Sequence, residues 1–109
     1  MDTDIIKEEQ AKLESVYENI RQTTLMHDDL NMAFDRNNKH LMDILENKEL
    51  SEEDRIFFEE QLEMVKKLRK KEGDDFEYYS GNLKKQRDSI EDKIEDIKKE
   101  NIKSKGEES

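Results

Sequence analysis

Asn47-Lys48-Glu49-Leu50-Ser51-Glu52-Glu53-Asp54 is the stretch where helical periodicity stops and restarts, and its reading decides the fold. Ser51 is placed as an N-cap, its hydroxyl free to accept an orphan backbone N–H. Glu52, Glu53 and Asp54 follow in the first turn, where the helix dipole favours negative charge. A turn at 47–51 therefore separates two helices. A loop of about five residues makes long helices antiparallel neighbours.

Outward from the turn on the N-terminal side, one column reads Ile6, Leu13, Ile20, His27, Phe34 and Leu41, each seven residues from the last. Three residues later come Glu9, Val16, Thr23, Leu30, Asn37 and Ile44, with Tyr17 and Leu45 widening the face. These are the a and d positions of a coiled-coil seam. They predict a helix over about 4–46, roughly 60 Å long at about 1.5 Å per residue.

On the C-terminal side Leu62, Arg69, Phe76, Leu83, Ile90 and Ile97 repeat the seven-residue spacing, and Phe58, Val65, Glu72 and Tyr79 complete the stripe. This predicts a helix over about 52–103, with a frayed tail at 104–109. Gly73 and the Ser80-Gly81-Asn82 triplet are candidate breaks. Because Phe76, Leu83, Ile90 and Ile97 stay in phase with Leu62, one helix kinked near Gly73 is expected rather than three helices. The expected fold is all-α: a single antiparallel two-helix hairpin of coiled-coil type.

Composition agrees. Of 109 residues, 31% are hydrophobic and 46% charged, against about 45–50% apolar and about 25% charged in globular domains. A thick, self-contained core is not expected. The lack of proline and the dominance of helix formers argue against a disordered linker. The net charge of −10 disfavours nucleic acid and anionic membranes as partners. No apolar run is long enough for a transmembrane span. Met1-Asp2-Thr3-Asp4 has neither the basic region nor the apolar stretch of a signal peptide. A cytoplasmic protein is expected, with co-export alongside a client left open.

His27 and His40 are the residues nearest in type to metal ligands. They stand 13 residues apart with no Glu-x-x-His or His-x-x-x-His spacing, so no metal and no cofactor is expected. No nucleophile elbow, phosphate-binding glycine loop or Cys/His pair is present, and the expectation is a non-enzymatic protein. The run Lys66-Lys67-Leu68-Arg69-Lys70-Lys71 is followed at once by Glu72, Asp74, Asp75 and Glu77. The acids cancel its field, which leaves an acidic patch on a protein partner as the plausible contact.

Thr23, His27, Asn37, Arg69, Glu72, Gln86 and Lys93 make the seam unusually polar. One reading is a weak coiled coil whose polar layers set register. The other is an interface with a different protein, in which these groups penalise wrong pairings. Two helices alone leave Tyr17, Leu25, Met26, Leu45, Phe57, Val65, Tyr78 and Ile94 wet, so further helices are expected to close over them. The residues expected to carry partner binding are Leu13, Ile20, Leu30, Phe34, Leu41, Phe58, Leu62, Val65, Phe76, Tyr79, Leu83 and Ile90.

The second arm, from Asp54-Arg55-Ile56-Phe57-Phe58 through Tyr78-Tyr79 to the Lys/Glu/Asp/Ile-rich end, resembles the small helical accessory proteins encoded beside LXG-domain toxins of Gram-positive type VII secretion systems. The resemblance implies a WXG-like helical hairpin serving as export adaptor or chaperone. Its partners would be the helical N-terminal domain of a toxin and a second small hairpin protein. The Trp-x-Gly turn of the WXG type is absent, with Tyr79-Ser80-Gly81 its nearest echo. No Phe or Tyr has an acid four residues later, so an aromatic-x-x-x-acidic export signal would sit on another chain. The alternative function is a structural coiled coil that self-associates as a homodimer.

Overall fold

The structure, a computed structural model, describes the backbone of residues 2–107 and the side chains of residues 3–103. It contains helix α1 (Asp2–Leu45) and helix α2 (Glu52–Glu107) joined by a short turn, with no strand among the described residues. The chain is a two-helix hairpin.

The turn closes both helix ends with hydrogen bonds. Backbone Asn47 N–H donates to the Ile44 carbonyl at 3.1 Å and Leu50 N–H to the Asn47 carbonyl at 3.3 Å. The Asn47 side-chain oxygen accepts from Glu49 N–H at 3.0 Å, an Asx turn. Ser51 Oγ accepts from Asp54 N–H at 3.1 Å, capping α2, and Glu52, Glu53 and Asp54 occupy its electropositive first turn. The last turn of α1 holds no basic residue. Its carbonyls are capped from the opposite helix instead: the Arg55 guanidinium donates to Leu45 O at 3.1 Å and to Asn47 O at 3.3 Å.

Helix α2 runs unbroken through Gly73 and Gly81, neither of which has a positive φ. Gly73 is therefore an interior residue rather than a C-cap. A Cβ built on either glycine meets nothing within 4 Å. Gly73→Ala and Gly81→Ala are each expected to stabilise the protein by about 0.5–1 kcal/mol. An unchanged or lower urea midpoint would show that these glycines serve something other than the free fold. At its far end α2 continues to Glu107, past the expected end near Lys103; Glu108 and Ser109 of the expected tail lie outside the described residues.

The hairpin divides into two compact units, each with a piece of both helices: a terminal unit, α1 to Thr23 with α2 from Tyr79, and a turn unit, Thr24–Tyr78. In the terminal unit the covered series are Ile6, Glu9, Leu13, Val16, Ile20 and Thr23 on α1, and Ser80, Leu83, Arg87, Ile90, Ile94 and Ile97 on α2, with Gly81 and Asn101 half-covered beside them. Both series alternate steps of three and four. Val16, Leu83 and Ile94 form the apolar core, and Glu9 and Ser80 are buried beside them. The Tyr17 hydroxyl donates to the Glu91 carboxylate, and this bond raises the phenol's pKa.

Glu9, only 4% exposed, is paired from both helices. Lys93 Nζ donates to its carboxylate at 3.0 Å and Lys12 Nζ at 3.1 Å. These lysines, Lys93 first, hold the carboxyl below its ordinary value of 4.5. A carboxyl whose pKa is lowered on folding contributes stability that is present above the ordinary pKa and lost as pH falls through the folded value. Glu9→Gln should thus be less stable than the parent at pH 7, with the gap narrowing below pH 4.5. Urea midpoints at both pH values check this; an equal gap at both would remove the carboxylate from the account.

In the turn unit the covered series are His27, Asn31, Phe34, Asn38, Leu41 and Leu45 on α1, and Arg55, Phe58, Leu62, Val65, Glu72 and Phe76 on α2. His27 stacks on Phe76 with ring centroids 3.8 Å apart and planes at 8°. Its Nδ1–H donates to both Glu72 carboxylate oxygens, at 2.8 and 2.9 Å, and its Nε2 lies 3.0 Å from the Asn31 amide nitrogen, which donates to it in this tautomer.

These series correct the strict heptad. In α1 the step from Thr23 to His27 is followed by a second four-residue step to Asn31; in α2 Glu72, Phe76 and Ser80 do the same. Beyond these steps the column beside the seven-residue repeat changes sides. Leu30 and Asn37 are exposed, and Asn31 and Asn38 are covered in their place. Tyr79 is 63% exposed and Ser80 7%. Gln86 and Lys93 are exposed, while Arg87 and Ile94 turn inward. The cause is helical geometry. A helix of 3.6 residues per turn drifts about 20° per heptad from a 3.5 repeat, and an extra four-residue step absorbs the drift. Of the polar residues read into the seam, Asn37, Arg69, Gln86 and Lys93 stand outside it.

Candidate functional site

Among the described residues every buried side chain belongs to the terminal unit. Most large exposed apolar side chains belong instead to the turn unit. The exposed apolar surface is therefore concentrated in the turn unit.

Much of it is ordered as a second stripe on each helix. On α1, Met26, Leu30, Ala33, Asn37, His40 and Ile44 follow one another by four, three, four, three and four residues. On α2, Asp54, Phe57, Gln61, Met64, Leu68 and Lys71 follow by three, four, three, four and three. At about 100° per residue, each stripe lies roughly 70–100° around its helix from the seam. The two face the same side of the pair. Asn37 and His40 from one stripe and Phe57 and Gln61 from the other line one open groove of about 340 Å³, floored by Leu41, Phe58 and Val65.

Phe57 and Phe58 join seam to groove. Their rings meet edge to face, with centroids 5.3 Å apart and planes at 77°. Phe58 is half-buried between the helices, while Phe57 is 54% exposed on the flank. Leu68, 52% exposed, continues the apolar edge three turns on. Elsewhere on the unit a charged contact ties the helices: Arg69 Nη1 donates to Asp35 Oδ1 at 2.6 Å.

A surface of this form can hold one amphipathic helix. Two helices that each present a second three-four stripe to the same side form two walls of a bundle, and a third helix is the shape that fills it. The polar groups Asn37, His40 and Gln61 sit mid-groove, where an occupant must satisfy them or lose affinity.

Of the twelve residues expected to bind partners, Leu83 is buried, and Leu13, Ile20, Phe34, Leu41, Phe58, Leu62, Val65, Phe76 and Ile90 are half-buried in the seam of their own unit. Leu30 and Tyr79 are exposed. The groove gathers Leu41, Phe58 and Val65 from this set, and Leu30 stands on the same flank. Met26, Ala33, Asn37, His40, Ile44, Phe57, Gln61, Met64 and Leu68 were not among the twelve, although their three-four spacing is readable in the sequence beside the stronger seam.

Among the described residues no three His, Asp or Glu side chains are grouped to hold a metal, and no helix is long and apolar enough to cross a membrane. Comparison with protein families, with curated proteins and with solved structures finds no match to this chain.

Proposed function

We propose that this protein is a non-enzymatic helical adaptor or chaperone, and that the open flank of its turn unit receives an amphipathic helix of a client protein. The observation that carries this reading is the groove lined by Asn37 and His40 from one stripe and Phe57 and Gln61 from the other. A protein complete by itself has no use for a second three-four stripe left wet on both helices. Covering about 500 Å² of apolar surface contributes on the order of 12 kcal/mol gross at about 25 cal/mol/Å². Association and ordering costs of about 4–15 kcal/mol offset a large share of that, so weak binding, micromolar at its tightest, is the expected regime.

In its sharpest form the client is the helical N-terminal domain of an LXG toxin, with a second small hairpin protein in the same complex. The texture of the second arm supports this identification. An adaptor of this kind would shield the toxin's helices before export, with the export signal carried on another chain. The test is co-expression with such a domain, followed by size exclusion with light scattering. A stable complex is expected. Failure to co-purify, or a complex indifferent to substitutions on the flank, would remove this function.

A further inference from the structure

The α2 stripe has a property that a client surface does not require: it is complementary to itself when reversed. Asp54, Phe57, Gln61, Met64, Leu68 and Lys71 are spaced three, four, three, four and three, the same in both directions. Turned end for end about a point between Leu62 and Glu63, the series sets Asp54 against Lys71, Phe57 against Leu68 and Gln61 against Met64. All six side chains are exposed or half-buried. In the parallel arrangement Asp54 would meet Asp54 and Lys71 would meet Lys71, both repulsive.

We propose that, without a client, the flank is occupied by a second copy of this chain. The two α2 helices run antiparallel about a twofold axis near Leu62 and Glu63. This is an isologous contact in which each residue pairing occurs twice, so a single opposite-charge pair in sequence becomes two in the dimer. The 18 residues from Asp54 to Lys71 span roughly 26 Å at about 1.5 Å rise per step, room for a centre of Phe57, Gln61, Met64 and Leu68 with an ion pair at each end. The net charge of −10 per chain opposes the approach; the placement of Lys71 over Asp54 supplies local attraction where the surfaces meet. A self-pair on this flank would compete with a client, but it requires none and is measured on the protein alone, so either proposal can fail without the other.

Sedimentation equilibrium of the full chain over about 1–200 µM, with helicity followed by circular dichroism, tests it. The parent should approach twice the 13.1 kDa mass of one chain. Phe57→Glu and Leu68→Glu should each return it to one chain mass with helicity retained. Lys71→Glu and Asp54→Lys should each weaken dimerisation about tenfold, and the two together should restore it, because the pair is then re-formed with its charges exchanged. A monomer at 200 µM would overturn the proposal, as would a dimer insensitive to Phe57→Glu and Leu68→Glu. A dimer that needs Phe57 but is not rescued by the charge exchange would overturn the antiparallel register.

Discussion

Leu83→Asp should be the most damaging single substitution in this protein, leaving it largely unfolded at 37 °C. Leu83 is 7% exposed in a core whose other buried apolar residues, among those described, are Val16 and Ile94. The substitution removes about 2 kcal/mol of apolar burial and places a charge in the seam between the helices. A small domain has about 5–15 kcal/mol of total stability, so a loss of about 4 kcal/mol is a large part of it. Thermal melts by circular dichroism at 222 nm measure this. The informative companion is Tyr79→Asp: a strict heptad puts Tyr79 in the seam, but the structure leaves it exposed. Tyr79→Asp is therefore expected to shift the midpoint by no more than a few degrees. Comparable losses from the two would restore the unshifted heptad and displace the four-residue step at Phe76. Lys70→Glu, on an exposed position, is the neutral control.

The second large effect belongs to the flank. Phe57→Glu or Leu68→Glu should lower client affinity at least about thirtyfold, the scale of an interface hot spot losing about 2 kcal/mol or more, while the helical signal stays at the parent level. The reasoning rests on where these residues stand. Both are about half exposed and lie outside the seam, so a charge there costs the free protein little but would be buried against a bound helix. Phe76→Asp behaves differently: Phe76 stacks on His27 inside its own unit, and its loss of binding would come with loss of structure. Titration of a client helix, with circular dichroism on each variant, separates the two. Binding that survives Phe57→Glu and Leu68→Glu would place the client elsewhere.

Much of the hairpin was readable residue by residue. Ser51 and the three acids after it announce a helix start by local chemistry alone, because a hydroxyl and a dipole act within one turn. The seven-residue columns through Phe34 and Leu83 announce helices because packing imposes one periodicity. Arg55 could not be read in the same way: its part is to cap Leu45 and Asn47 across the turn, a contact that exists only once the chain has folded back. The flank proposed to dock a helix was partly readable, since Phe57, Gln61, Met64 and Leu68 are themselves three-four spaced, but a stripe of mixed polarity is overshadowed by the richer seam beside it.

The sequence by itself determined that there are two long helices, where they are joined and that they run antiparallel, since those outcomes follow from interactions within a few residues and from a short connection. Only the tertiary structure decided which column faces inward past His27 and Phe76, so that Ser80 is covered while Tyr79 faces solvent. That choice depends on an angular drift of about 20° per heptad accumulating along two helices at once, and no local signal says at which residue the pair absorbs it.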